Sequence, residues 1–424
     1  MNRSPRPAGE PRYGWVVVAV AFVFLGIGSG SFVSISVFLR PLTDELGWGR
    51  GDTTFAYLAG SIALGLGGIA MGHLADRYST RRVVLAGVVA LGLSLLLLGR
   101  QDSLWQFYLL YCLLGGLGAG AFQVPLLTNI GYWFDRRKGL ALGIASAGLV
   151  LGNGAVSFLA RYLITVFGWR GAYTILGVLA LAALAPLVLL VRAPPPLAPA
   201  RDAPASRDAP LGGAVSTAPA SSVSSAMPAR VIVPWLSVAI GLGNFCSATA
   251  LVHVVALAQD RGIAAQAAAG IVLVIFVASF VGRVTFGAVA DRVGGLRAAL
   301  IAFAAEAALV FWFTQLTSVG AFYVLAAVFG LGYSGVVTCL VVCVRELTPV
   351  HRQGASQGVI LFFGWLGHGL GGYVSGVLFD VTGAYVVSYA GATLAGALGL
   401  LALIALLVYG ARQGGAIPAY RRVP

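Results

Sequence analysis

An arginine lies inside an otherwise apolar stretch of this sequence, where a positive charge is costly and therefore a candidate for function. Arg283 falls in the run 266–290, eight residues before Asp291. On a helix, eight residues span about 12 Å. A guanidinium at that depth needs an anionic partner, and its planar fork suits a carboxylate. Two kinds of partner are open: a bound carboxylic acid, or a permanent protein partner such as Glu306.

Three further ionisable residues inside apolar runs are candidates for function. His253, seven residues before Asp260, could titrate near neutral pH or donate a hydrogen bond to an anion. A lone histidine on a helix is often only a packing residue, and His368 is open to the same two interpretations. For Glu306 we expect a neutral, protonated carboxyl bonded to a neighbouring helix.

Uncharged polar residues inside the apolar runs are candidates for contacts with a solute, namely Gln123, Asn129, Asn244, Tyr333 and Ser334. Such residues more often bond helices together than touch a ligand. The sequence has no Walker loop, metal cluster or nucleophile–base spacing, so neither ATP hydrolysis nor intramembrane proteolysis is indicated. We expect no enzyme activity, no metal site and no cofactor.

The composition indicates which solvent surrounds these residues. Of the 424 residues, 59% are hydrophobic and 10% are charged, whereas an average soluble domain carries about 25% charged residues. The net charge of +13 comes from residues between the apolar runs, which form no stripe that a phosphate backbone could follow. We therefore predict a lipid-embedded protein and no nucleic-acid partner.

The chain contains twelve apolar runs, most of them near the 20 or so residues that a helix needs to cross a bilayer. Helices are expected, because the runs lack the alternation of a barrel strand. The first run is about twice the length of a signal-peptide core and is expected to remain as a span. The runs are 13–39, 53–75, 82–99, 105–131, 139–166, 171–191, 231–258, 266–290, 298–317, 320–344, 354–379 and 384–410.

Basic residues between the runs predict the orientation. With the N-terminus in the cytoplasm, 20 of the 27 Lys and Arg residues lie on the cytoplasmic side and six lie outside, with Arg283 inside a run. Because cytoplasmic loops carry the excess of basic residues, both termini are predicted to be cytoplasmic.

Residues 193–230 differ from their surroundings. They hold eight of the 18 prolines, with several serines and few bulky apolar residues, a composition typical of a flexible linker. The linker divides the chain into an N-terminal six-helix bundle (1–192) and a C-terminal six-helix bundle (231–424).

One motif occurs twice, 215 residues apart, in equivalent loops of the two halves. Its pattern is a glycine, three residues and Asp-Arg, with a further arginine four or five positions later. A carboxylate near helix ends and arginines can be favoured in one packing and released in another. The motif residues are Asp76, Arg77 and Arg81 in the first copy and Asp291, Arg292 and Arg297 in the second.

The paired loop, the six-plus-six count and the linker resemble the major facilitator superfamily over the whole chain. That resemblance implies twelve transmembrane helices in two pseudo-symmetric six-helix bundles, an all-α fold. It also implies that the two loops latch the cytoplasmic helix ends together and release them as the halves rock. The alternative is a pair of static surface ion pairs.

A finer resemblance is to the monocarboxylate transporter family, in a bacterial-type form related to oxalate and formate exchangers. It rests on the stretch from Trp133-Phe134-Asp135-Arg136-Arg137-Lys138-Gly139 to Gly148, whose glycines and alanines leave a flat helix face. The resemblance places a substrate-binding arginine at Arg283 and a substrate-contacting tyrosine at Tyr333.

The sequence also departs from the family at three places. Val33 stands where animal members have a lysine, and Ser279 stands where an acid usually precedes the arginine by four residues. The exchangers carry a second basic residue on span eleven, where this chain has His368. One fixed cation favours a monoanion over a dianion.

We therefore predict a secondary transporter that moves a small monocarboxylate such as lactate or pyruvate by alternating access. We expect it to be proton-coupled, with His253 as the first candidate for the coupling residue and Glu306 as the next. The alternatives are an exchanger of formate- or oxalate-type acids and a non-transporting membrane sensor. The expected location is the bacterial cytoplasmic membrane, with a carboxylate and protons as partners and the monomer as the working unit.

Overall fold

The computed structural model of the protein describes residues 12–134, 137–192, 229–348 and 353–412, and these are almost wholly helical. A π-helical segment occupies Leu113–Ala119, and a 3₁₀ segment occupies Phe311–Gln315. The helices are α1 (Arg12–Val33), α2 (Ile35–Leu46), α3 (Arg50–Arg77), α4 (Thr80–Leu98), α5 (Leu104–Cys112), α6 (Gly120–Trp133), α7 (Lys138–Val188), α8 (Ala229–Asp260), α9 (Ala265–Val293), α10 (Gly295–Val310), α11 (Val319–Leu347), α12 (Gln353–Thr382) and α13 (Val386–Arg412).

Ten helical stretches within the described ranges are long and apolar enough to cross a membrane. One of them, Gly139–Val188, covers 139–166 and most of 171–191, because α7 continues past Gly168, where the backbone leaves the helical region (φ 68°, ψ 171°). α12, which covers the predicted run 354–379, has 30 residues but is not among the ten. The predicted all-helical membrane fold is confirmed, and the count of twelve spans stays a prediction.

The predicted linker falls outside the described residues except at its C-terminal edge, where Ala229 and Arg230 already belong to α8. Asp135 and Arg136 of the family signature also lie outside them. The division into residues 1–192, 193–230 and 231–424 stays a prediction.

Glycines bring two pairs of helices into backbone contact at equivalent places in the two halves. A Cβ atom on Gly152 of α7 would collide with Gly26 of α1, and one on Gly367 of α12 would collide with the carbonyl of Gly241 of α8. These pairs combine the fifth predicted run with the first and the eleventh with the seventh. The flat face predicted from the glycines and alanines of the fifth run is thus the surface on which α1 packs.

The helices have two ends that matter for function. We call the end with Asp76 and Asp291 the latch end, and the opposite end, with Arg50 and Asp260, the Arg50 end. Towards the Arg50 end, α12 packs on α3 along a seam of three glycines, which contact Leu58, Tyr57 and Thr54 in turn: Gly369, Gly372 and Gly376. Because α3 lies in the first half and α12 in the second, this seam joins the halves.

Candidate functional site

Arg283 lies on α9, ten residues before the helix ends at Val293. The residue is half-buried, and its Nε is buried without a hydrogen-bond partner. Among the described residues, no carboxylate oxygen lies within 4.0 Å of its guanidinium. The structure therefore does not pair Arg283 with Glu306.

Ser279 occupies the position, one helical turn before Arg283, at which the related family usually has an acid. Its hydroxyl is buried and lies 2.7 Å from the carbonyl of Ile275 and 3.0 Å from the carbonyl of Gly330. The second contact ties α9 to α11. Ser279 thus bonds helices together and supplies no negative charge to Arg283.

Tyr333 of α11 lies close enough to both Arg283 and Glu306 to interact with each electrostatically. Its ring stacks on Phe329, with centroids 6.4 Å apart and an interplanar angle of 4°. Tyr333 thus lies beside Phe329 and in the vicinity of the guanidinium. A hydroxyl and a guanidinium side by side can together donate hydrogen bonds to one carboxylate.

Glu306 of α10 is fully buried, and neither carboxyl oxygen has a hydrogen-bond partner. The nearby Ser247 hydroxyl donates to the carbonyl of Gly243, at 2.9 Å. A buried carboxylate without a partner is costly, so the protonated form fits this place better. The bond to a neighbouring helix that we expected for Glu306 is not found among the residues described.

His368 of α12 is buried and lies between two aromatic rings. Its ring centroid is 5.8 Å from that of Tyr57 and 6.0 Å from that of Trp365. Tyr57, on α3, is fully buried with an unpartnered hydroxyl, and it is near enough to Tyr333 to interact electrostatically. His368 is thereby linked, through Tyr57, to the neighbourhood of Tyr333 and Arg283.

A small cavity on the N-terminal half contains one of the predicted polar residues. Gln123 and Ser29 line it, together with Phe122 and with Trp365 from the C-terminal half. The wall is otherwise apolar, formed by Leu25, Leu64, Ala119 and Leu149. The cavity thus offers an apolar surface with two polar groups at the boundary between the halves.

The other uncharged candidates already have partners within the protein. The amide of Asn129 donates to the carbonyl of Arg192 at 3.2 Å and accepts from the indole of Trp133 at 2.9 Å. Ser334 donates to the carbonyl of Leu331 at 3.0 Å. The half-buried Asn244 packs against α12 at Gly364. The Asn244 contact joins two helices, whereas the contacts of Asn129 with Trp133 and of Ser334 with Leu331 lie within single helices.

His253 is fully buried in α8 and uses both ring nitrogens. Nε2 lies 2.7 Å from the carbonyl of Gly372, and Nδ1 lies 3.0 Å from the hydroxyl of Tyr385. The same hydroxyl is 2.7 Å from a guanidinium nitrogen of Arg50. His253 therefore belongs to a group of residues at the Arg50 end, which contains neither Arg283 nor Tyr333.

Arg50 forms the centre of this group, which we call the Arg50 gate: Arg50, His253, Asp260, Asp380 and Tyr385. Two guanidinium nitrogens donate to Asp260 at 2.8 and 3.0 Å. The guanidinium also lies 3.8 Å from the ring centroid of Phe379. The gate joins α3 of the first half to α8, α12 and the turn before α13 of the second.

Asp380 of α12 binds the backbone at the start of α3. It accepts from the backbone N–H of Arg50 at 2.9 Å and from that of Gly51 at 2.6 Å. These are unpaired donors of the first turn of α3, so a carboxylate there is also favoured by the helix dipole. α3 is thus capped by a residue that lies 330 positions away in the sequence.

Sequence reasoning assigned no function to Tyr57 or to the gate residues other than His253. Arg50 and Asp260 stand at the ends of apolar runs, where charged residues are ordinary, and nothing in the spacing indicates that they meet. The only available signal for Tyr57 was a tyrosine inside an apolar run, a weak one because tyrosines there commonly pack.

The six predicted latch residues present a contrast to the Arg50 gate. All six are exposed, and none has an ion-pair partner within the described ranges: Asp76, Arg77, Arg81, Asp291, Arg292 and Arg297. The two loops are therefore not engaged with each other in this structure, while the opposite end is held by hydrogen bonds and an ion pair.

Comparison with known proteins adds the following. The family model described as Major Facilitator Superfamily matches residues 15–372 and 236–419. Human monocarboxylate transporter 11 is 30% identical over 91% of this chain and 82% of its own length. The MFS-type transporter YcxA of Bacillus subtilis strain 168 is 26% identical over 89% of this chain and 91% of its own.

Among solved structures, a bacterial homolog of the human lysosomal transporter Spinster, in an inward-facing and occupied conformation, is similar in fold. The TM-score is 0.68 at 15% identity, covering 96% of this chain and 98% of that one.

Proposed function

This chain belongs to the major facilitator superfamily, in its monocarboxylate transporter-like family, and we propose that it carries a small organic monocarboxylate by alternating access. Family membership makes it a transporter rather than an enzyme, and favours transport over sensing. The substrate class, proton coupling and orientation that follow are our proposal.

The observation that carries the substrate class is the unpaired guanidinium of Arg283. A charge in the hydrocarbon costs at least about 2.5 kcal/mol by insertion scales and needs compensation. No carboxylate among the described residues compensates it, and Ser279 is bonded elsewhere. A substrate carboxylate can do so with two parallel hydrogen bonds, assisted by the Tyr333 hydroxyl.

One fixed cation beside neutral groups favours a monoanion such as lactate or pyruvate. The rival substrate, a dianion such as oxalate, would need a second positive charge, for which His368 is the candidate. His368 lies between Tyr57 and Trp365. Exchange of formate- or oxalate-type acids therefore remains the second function to test, through His368→Gln.

Alternating access is supported by the difference between the two ends. The Arg50 gate is engaged, whereas the latch residues are exposed and lack ion-pair partners among the described residues. In the proposed orientation the latch end faces the cytoplasm of a bacterial cell, and the monomer is the working unit. In this state the Arg50 end would then be closed towards the outside, and the Asp-Arg loops on the cytoplasmic side would be disengaged.

Arg283→Ala and Arg283→Lys, measured on purified protein for lactate binding and melting temperature, test the proposal. Arg283→Ala should abolish binding but leave the protein as stable as before or more so, because it removes an uncompensated charge. Arg283→Lys keeps the charge without the planar fork and should bind weakly. Arg161→Ala is the matched control: Arg161 is also half-buried, with an unpartnered Nε.

Two results would refute this assignment. Lactate binding that survives Arg283→Ala would remove the role of the guanidinium. A loss of about 3–5 kcal/mol in stability would instead indicate a permanent buried ion pair, because removing one partner strands the other. Arg161→Ala should change neither lactate affinity nor its dependence on Arg283.

A further inference from the structure

The hydrogen bonds of the Arg50 gate have a defined direction. A carbonyl only accepts, so Nε2 of His253, 2.7 Å from the Gly372 carbonyl, carries a proton. In the neutral ring Nδ1 is then an acceptor, and the Tyr385 hydroxyl, 3.0 Å away, must donate to it. The Tyr385 oxygen is thereby free to accept from Arg50 at 2.7 Å. With a neutral His253, each of these three hydrogen bonds in the closed gate therefore has one donor and one acceptor.

A second proton on His253 is incompatible with this arrangement. Nδ1 would become a donor, so the Tyr385 hydroxyl would lose the acceptor for its own proton. The imidazolium would also stand one hydroxyl group away from the Arg50 guanidinium, and like charges at such a distance in a protein repel. Both effects weaken the bond between Tyr385 and Arg50, which joins the two halves.

Other ionisable groups around His253 do not supply a compensating anion to the ring. The carboxylates of the gate are already bonded to Arg50: Asp260 to its guanidinium and Asp380 to its backbone N–H. Arg40 of α2 lies 3.9 Å from Asp260. Other ionisable residues within the packed helices include Tyr57 of α3, Glu306 of α10, Tyr333 of α11, His368 of α12 and Tyr389 of α13, and none of them is hydrogen-bonded to the ring. The guanidinium of Arg261 donates to the carbonyl of Thr314.

A cavity lies beside Tyr385 at the Arg50 end. It has a volume of about 140 Å³, opens at the Arg50 end, and is lined by Asp260, Phe379 and Tyr385 among others. Water in it reaches the Tyr385 side of the gate while the gate is closed. The ring of His253 itself remains buried, so Tyr385 separates it from the cavity.

We propose that His253 is the proton-operated switch of the Arg50 gate, with Tyr385 as the positioning residue that transmits its protonation to Arg50. Acid on the Arg50 side opens that end of the transporter, and alkali keeps it closed. The switch rests on the proposed function for its orientation and purpose. It assigns proton coupling to the gate rather than to the carboxylate site around Arg283.

The opening of the gate can be measured without substrate. Spin labels at Arg100 and Thr317, both exposed at the Arg50 end on opposite halves, report the distance across it in the full-length protein lacking its four native cysteines. Between pH 8 and pH 5.5 we expect the open population to rise about tenfold, because Arg50 repels the imidazolium in the closed gate and an imidazole with the ordinary pKa of about 6.5 is mostly protonated at pH 5.5 once the gate opens.

His253→Gln should abolish this dependence on pH and leave the gate closed. A glutamine amide can still donate to the Gly372 carbonyl and accept from Tyr385, but it cannot take up a proton. Tyr385→Phe, which removes the link to Arg50, should open the gate at both pH values. His73→Gln, at an exposed position on α3, and His368→Gln, in the other buried cluster, are the matched controls and should keep the wild-type response.

A wild-type distance that does not change with pH, or a response that survives in His253→Gln, overturns the proposal. Loss of the response in His368→Gln instead moves the switch to that histidine and equally overturns it. Arg283→Ala in the same assay separates this proposal from the substrate assignment. That variant should still open with acid whether or not it binds lactate.

Discussion

Closure of the Arg50 end depends on Gly376, where α12 lies against the first turn of α3. A Cβ atom at Gly376 would lie 2.5 Å from the Thr54 hydroxyl oxygen and 2.8 Å from the carbonyl oxygen of Arg50. The Arg50 carbonyl is backbone and cannot swing aside, and the Thr54 hydroxyl is held 2.7 Å from that carbonyl. Gly376→Ala must therefore push the two helices apart.

The size of the effect follows from the cost of overpacking. Inserting a methyl group into a packed contact typically costs about 1–3 kcal/mol. The cost applies only to the state in which α12 and α3 are in contact, so the mutation destabilises the closed gate and not the open one. With about 1.4 kcal/mol per factor of ten, the open population should rise between about fivefold and about 140-fold.

Labelling of a cysteine at Ser29 reports this population, because Ser29 lines the cavity between the halves. In the proposed orientation, an impermeant maleimide outside intact cells reaches that cysteine only when the Arg50 end opens. Gly376→Ala should raise its labelling rate by the factor above and should slow net transport, since the closed state is needed in each cycle. Adding Thr54→Ala should reverse part of the effect, because it removes the nearer of the two contacts.

Gly391→Ala is the matched control, since a Cβ atom there meets nothing within 4 Å. It introduces the same change on α13 and should leave the labelling rate unchanged. The reasoning is refuted if Gly376→Ala labels like the parent, or if Gly391→Ala opens the gate as strongly. Faster labelling only in inverted vesicles would instead mean that the Arg50 end faces the cytoplasm.

Two further predictions concern the opposite end. If the Asp-Arg loops latch that end in the alternative state, Asp76→Asn should slow turnover severely. It should change substrate affinity by less than about tenfold, because the mutation shifts the balance of conformations and removes no contact to the substrate. Transport at the parental rate would leave the loops a structural role only. Cysteines at Ser206 and Ser222, in a background without the native four, should react with impermeant maleimide only in inverted vesicles, and labelling in intact cells would reverse the proposed orientation.

The helices were predictable because a backbone in lipid has few alternatives. Each long apolar run must satisfy its own hydrogen bonds, so its length alone predicts a helix. Even the break at Gly168 falls between two predicted runs. The substitution of Ser279 for an acid was equally visible, because it stands one turn from Arg283 on the same helix.

The gate was not predictable, because its partners are distant in sequence and ordinary in type. Asp380 caps a helix that begins at Arg50, and Arg50 itself pairs with Asp260. Each lies at a helix end, where a charged residue is expected for solubility alone. His253 was a candidate on the strength of its type and depth, but its association with Tyr385 required the fold, which brings α13 against α8.

The position of Ser279 bears on where a proton could act. An acidic side chain one turn from Arg283 would pair with the guanidinium when ionised and release it to the substrate carboxylate when protonated. Here the serine is bonded to α11, so the substrate carboxylate alone would neutralise Arg283. A proton that works on the Arg50 gate instead needs no contact with the substrate. Proton coupling would then arise because the proton and the substrate each favour one of two conformations of the same protein, which is sufficient for thermodynamic linkage.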